Sequence, residues 1–74
     1  MVWDYSKLLG RIKECGFNQS SLAKQVKISV STLSEKLNNK YCFTMKEIDT
    51  ICKVLEISKE EIGIYFFAEK VQKN

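Results

Sequence analysis

The side chains best suited to chemistry in this sequence are groups that bind rather than groups that cut. Between residues 18 and 40 lie Asn18, Gln19, Ser29, Ser31, Thr32, Ser34 and Asn38, with Val30 and Glu35 among them and Lys40 closing the stretch. Amides, hydroxyls and ammonium groups at such density donate to and accept from base edges and phosphate oxygens. The 74 residues contain no His, which removes the imidazole base, Ser/His and Cys/His catalytic pairs and His metal ligands. An enzyme is not expected, and no cofactor is called for. Three cysteines, Cys15, Cys42 and Cys52, make an odd count without a CxxC, so neither a disulfide framework nor a zinc ribbon fits. They are expected as reduced thiols, most of them in or beside the core, with no metal site.

The elements that must position these groups are helices. With no Pro, 3 Gly and 45% apolar residues, the chain reads as one all-α domain over residues 1–74, small enough to depend on well-made helix ends. The opening MVWDYSKLLGR meets charge within four residues, and no run approaches 18 apolar residues. Neither an export signal nor a membrane span is expected, which points to the cytoplasm.

One start signal recurs. An apolar residue is followed by Asp, Asn, Ser or Thr, and a second apolar residue comes four positions after that cap, as in a hydrophobic staple around an N-cap. It occurs at Trp3-Asp4 with Leu8, Phe17-Asn18 with Leu22, Ile28-Ser29 with Leu33, Phe43-Thr44 with Ile48, and Ile57-Ser58 with Ile62. Thr44 with Glu47 and Ser58 with Glu61 also have the spacing of a capping box. Five short helices follow: about 5–15 with Leu8, Leu9 and Ile12 inward and a stop at Gly16, about 19–26, about 30–38, about 45–55, and a fifth after Ser58. The segment Ile64-Tyr65-Phe66-Phe67, within a tail over about 64–74, is a candidate dimer surface; the alternative is that its aromatics close the monomer core over the first and fourth helices, with Tyr65 and Phe67 inward and Phe66 not.

The second and third caps are only 11 residues apart. Eight helical residues and the connection Lys27-Ile28-Ser29 fill that interval, too tight for antiparallel neighbours, so a helix-turn-helix is expected over about 18–38. Charge separates along the chain. Residues 24–46 hold five lysines and one glutamate, a net +4, whereas residues 47–69 hold two lysines and six acids, a net −4. A basic tight unit beside an acidic remainder suits a phosphate-facing surface; the plain alternative is a solvated face with a chance bias. On a wheel of ~100° per residue with Leu33 at the origin, Ser31, Glu35 and Asn38 point outward at about 160°, 200° and 140°. Thr32 and Ser34 fall on the flanks. These residues can reach bases, and they are equally ordinary surface residues.

The stretch from Phe17 to Lys40 resembles the helix-turn-helix of lambda-repressor and Cro-like proteins, the XRE class, through Asn18-Gln19, Leu22-Ala23, Val26, Ile28-Ser29, Leu33 and Leu37-Asn38-Asn39-Lys40. The remainder is similar to short phage or prophage Cro-like proteins of Gram-positive bacteria in Phe43-Thr44, Glu47-Ile48, Glu61-Ile62, Tyr65-Phe66-Phe67 and Val71-Gln72. The resemblance implies a five-helix lambda-repressor-like fold with double-stranded operator DNA as partner. It also implies a phosphate contact and buttressing role for Gln19, a cap and phosphate role for Ser29, base-edge contacts at Val30 and Ser31, and a phosphate contact at Lys40.

Four positions depart from that pattern. Val30 stands where Gln is common and is as open to packing at the core edge as to contact with a thymine methyl; Lys27 and Asn39 replace glycines, and Glu35 puts a carboxylate on the outward face, acceptable there if it accepts from cytosine or pairs with Lys36 or Lys24. The expected function is a sequence-specific transcriptional regulator of phage or prophage type, a homodimer whose candidate surface is Tyr65, Phe66 and Phe67, located at the nucleoid when bound. The rival is an antirepressor or modulator that binds a partner phage repressor through the same surface.

Overall fold

The computed structural model describes residues 2–70 and is all-α: α1 Ser6–Glu14, α2 Gln19–Val26, α3 Val30–Leu37, α4 Met45–Leu55, and a 3₁₀ turn Lys59–Glu61 that leads into α5 Ile62–Phe66. The expected elements Val71-Gln72, and the rest of the tail beyond residue 70, lie outside the described residues. The core takes one stripe from each helix, with Leu8, Leu22, Leu33, Ile51, Leu55 and Phe66 fully enclosed.

Three of the connections are built alike. At Gly16-Phe17-Asn18, Lys27-Ile28-Ser29 and Glu56-Ile57-Ser58, a left-handed residue (φ 80°, 64° and 56°) is followed by an apolar residue and then by the residue that precedes the next helical turn. The apolar residue's N–H closes the finished helix: Phe17 donates to the Ile12 carbonyl, Ile28 to that of Ala23 and Ile57 to that of Cys52. This is the six-to-one bond of a Schellman ending, and the same residue then precedes the next cap. Chain direction therefore reverses or turns within three residues, which explains how α2 and α3 come so close together.

The caps hold where the chain is free to place them. Asn18 Oδ1 accepts from Ser21 N–H at 2.8 Å, Ser29 Oγ from Thr32 N–H at 3.1 Å, and Thr44 Oγ1 from Glu47 N–H at 3.1 Å. Ser21 Oγ returns a contact by accepting from Asn18 N–H, a box that a Ser at the third position hides from a search for Glu or Gln. At the first helix the expected cap shifts. The first helical bond runs from Leu9 N–H to the Tyr5 carbonyl, one residue later than expected; Asp4 N–H donates to the Ala68 carbonyl at 2.7 Å, and Asp4 Oδ1 accepts from both N–H and Oγ of Ser6.

Two expectations about side-chain direction are corrected. Leu9, expected inward, is 42% exposed, because Tyr5, Leu8 and Ile12 already fill the core-facing row of α1. In α5 the register is the reverse of the expected one: Phe66 is 1% exposed, Tyr65 is half-buried and Phe67 is 48% exposed. The 3₁₀ turn rotates the start of α5, so that Phe66 completes an edge-to-face column with Phe43 and Tyr5, ring centroids 5.5 Å apart at both steps. Phe67 instead meets the edge of Trp3 at 5.6 Å.

The two ends of the described chain meet. Residues 2–4 pair antiparallel with 68–70 through the Asp4–Ala68 bond and a bond from Lys70 N–H to the Val2 carbonyl. On the opposite edge, Asn39 holds Trp3 by its backbone: Trp3 N–H donates to Asn39 Oδ1 at 2.8 Å and Asn39 Nδ2 donates to the Trp3 carbonyl at 3.0 Å.

Candidate nucleic-acid interface

The α2–α3 unit begins at Asn18, whose box leaves Gln19 as the first helical residue, half-buried. Its turn places Lys27 in the left-handed region, a conformation in which a side chain with a Cβ is strained. Ile28 is half-buried beneath the turn, and Ser29 caps α3.

Along α3 the polar residues divide into two sets. Val30 (44% exposed) and Ser31 stand clear at the first turn. Thr32 and Ser29 engage one another, their hydroxyl oxygens 2.7 Å apart. Asn38, expected on the outward row, is exposed but folded back along its own helix, with Nδ2 donating to the Ser34 carbonyl at 2.9 Å and lying 3.4 Å from Ser34 Oγ. Val30 and Ser31 are therefore the side chains of α3 that stand clear, with Glu35 half-buried.

The alternative that Glu35 pairs with Lys36 or Lys24 is corrected: among the described residues Glu35 forms no ion pair. Lys36, at the edge of the core-facing stripe, turns inward. Its ammonium lies 3.1 Å from Glu47 Oε1 and donates to the Cys42 carbonyl at 3.0 Å. Burial alone would raise the Glu47 carboxyl, but the Thr44 N–H and the Lys36 ammonium outweigh it and hold the group below its ordinary value.

The sequence reading missed this pair. The signal was present in the position of Lys36, three residues after Leu33, and in the capping-box carboxylate of Glu47. Once Lys36 is spent on Glu47, the exposed cations of this half are Lys24, Lys27, Lys40 and Lys46. Lys27 and Lys46 face one another across a groove of about 490 Å³ between the end of α2 and the start of α4. Lys40 follows the left-handed Asn39 (φ 66°), and its N–H closes α3 on the Glu35 carbonyl. No three His, Cys, Asp or Glu side chains gather into a metal-binding group among the described residues, and no described helix is long and apolar enough to cross a membrane.

Residues 1–69 match the family described as "Protein of unknown function (DUF739)". The chain belongs to the DUF739 family. No curated protein matches it. In this DUF739 chain the polar row of α3, the four exposed lysines around it and the buried Lys36–Glu47 tie are the features that set the α2–α3 face apart from the rest of the surface.

Tyr65, Phe66 and Phe67 do not form one surface. Phe66 belongs to the core, so only Phe67, beside Trp3, and the half-buried Tyr65 remain near the outside.

Proposed function

We propose that this protein is a sequence-specific, DNA-binding transcriptional regulator of the Cro-like, XRE type found in phages and prophages. In this reading α2 and α3 act as a helix-turn-helix, with α3 as the element that enters the major groove. The observation that carries the proposal is the three-residue turn Lys27-Ile28-Ser29, which leaves Val30 and Ser31 exposed at the start of α3 in a half of the chain whose exposed cations are Lys24, Lys27, Lys40 and Lys46.

Gln19, at the first position of α2, is suited to a phosphate contact beside the helix N-terminus. Val30 and Ser31 are suited to base edges, and Ser29 keeps α3 capped while they do so. A domain of this size offers few contacts, so two copies on a pseudo-palindrome, half-sites roughly 34 Å apart, are proposed.

Selection of bound sites from random duplex tests the reading directly. The expected result is a palindromic consensus, with log K falling against log salt at a slope of about −0.9 per phosphate contact. Gln19→Ala should weaken binding to every sequence, whereas Ser31→Ala should change the preferred sequence. Enrichment of no consensus, with a flat salt response, would remove the proposal.

A second reading is favoured by Glu35, whose carboxylate has no cation partner among the described residues. A carboxylate in that place suits contact with the basic face of another protein, as in an antirepressor or modulator. Capture of a neighbouring repressor, with no gel shift on the intergenic DNA, would favour it.

A further inference from the structure

With Phe66 in the core, the tail presents Ile64 and Phe67 rather than one aromatic face, and a second apolar face lies on α4. Along α4, the 3₁₀ turn and α5 runs an open groove of about 450 Å³ with Ile48, Cys52, Ile57 and Ile62 along its floor. Met45, the most exposed large apolar side chain among the described residues at 77%, stands at one end of it. Asp49 and Lys53 form the rim, their charged ends 3.1 Å apart.

We propose that this groove is the docking surface for a second copy of the chain, with the two α4 helices antiparallel. The reason is a self-complementary register. If the two-fold axis is level with Ile51, antiparallel pairing sets Asp49 opposite the second copy's Lys53, and the same pair recurs on the other side of the axis. That register also brings Met45, at the start of α4, to the C-terminal end of the second copy's α4, where the groove continues past Ile57 towards Ile62. A flexible thioether side chain adapts well to such a pocket. The opposite signs on the rim select this register, because a shift that opposed like charges would be penalised. The alternative surface at Phe67 is already occupied in part by its contact with Trp3. The inference deepens the DNA-binding reading, which calls for two copies on one operator, but its test involves no DNA. Failure of one therefore leaves the other standing.

The test is the mass of the full chain in solution, by sedimentation equilibrium, together with helical circular dichroism. The parent is expected to be dimeric, Met45→Glu to weaken association by at least about tenfold with the helical signal intact, and Phe67→Asp to remain dimeric. Glu is well tolerated in the first turn of a helix, so Met45→Glu should fold. Asp49→Lys and Lys53→Asp should each weaken self-association. Mixed together, they should form a mixed dimer detectable by native mass spectrometry, an outcome that a role for the pair within one chain would not produce. A monomeric parent, a dimer that survives Met45→Glu, or a mixture that forms no mixed dimer overturns the proposal.

Discussion

The Lys36 ammonium lies 3.1 Å from Glu47 Oε1 with both side chains largely enclosed, at 10% and 16% exposure. Because the same ammonium donates to the Cys42 carbonyl, one buried cation ties the end of α3, the connection after it and the first turn of α4. The pair lies across the end of the element proposed to read DNA, so its loss is expected to loosen α3 as well as lower stability.

Acid should expose this contact. The folded Glu47 carboxyl titrates below its ordinary value of 4.5, so it binds protons less readily folded than unfolded. Its stabilising contribution is complete above that value and is lost as pH falls through the folded one. Glu47→Gln is expected to cost about 2 kcal/mol at neutral pH and to flatten the stability profile below about pH 4.5. Asp4 is also held low, by the Ser6 hydroxyl and N–H, but has no cation within ion-pair distance among the described residues, so Asp4→Asn serves as the control with a smaller effect. Urea titrations at several pH values give the comparison; parallel profiles for parent and Glu47→Gln would contradict the assignment.

Asn39 does two things that one substitution can separate. It occupies a left-handed conformation and bonds both backbone groups of Trp3. Asn39→Gly keeps the backbone and loses the bonds, for an expected cost of about 1–2 kcal/mol. Asn39→Ala adds the strain of a Cβ at positive φ, about 1 kcal/mol more. Both should shift the emission of Trp3, the only tryptophan, toward that of a wetter indole. Unchanged emission would mean that Trp3 is held without Asn39.

Glu56 offers a gain. Its φ of 56° strains any residue with a Cβ, and Glu56→Gly should stabilise the protein by about 0.5–1 kcal/mol. Gly16→Ala is the mirror experiment. A Cβ there would meet nothing within 4 Å, so the expected loss of about 1 kcal/mol is conformational alone. Thermal unfolding of the two variants should move in opposite directions, and a shift of the same sign in both would refute the argument.

The three thiols should label in order of exposure. Cys42 is exposed, Cys15 half-buried and Cys52 buried, and burial together with Asp49 pushes the Cys52 thiol up. Alkylation of the native protein is expected fastest at Cys42 and slowest at Cys52, with the difference abolished in denaturant. Equal native rates would contradict the packing around α4.

Much of this fold was legible because it is local. The limits of α2 and α4 follow from cap and apolar stripe alone, and the tight turn follows from the interval between Asn18 and Ser29. Position in chain could not give the rest. Lys36 reads as solvated surface until Glu47 is opposite it, and the bond between Asn39 and Trp3 joins residues 36 apart. The direction of Phe66 was lost at the 3₁₀ turn, where the helical period used to assign faces does not apply. On α3, the outward row was read correctly at Ser31, but a helical wheel cannot show that Asn38 folds back onto Ser34.

The tripeptide connections limit how the chain can vary in length. At Phe17, Ile28 and Ile57 a single residue ends one helix and introduces the next turn, so an inserted residue there would separate two functions that now share one side chain. The stretch from Lys40 to Phe43, by contrast, is not shared between two helix ends in this way. Insertions and deletions among DUF739 chains should therefore gather at the exposed Tyr41, between the Lys40 N–H that closes α3 and the Cys42 carbonyl that holds Lys36, and that point is the place to graft a peptide or a probe.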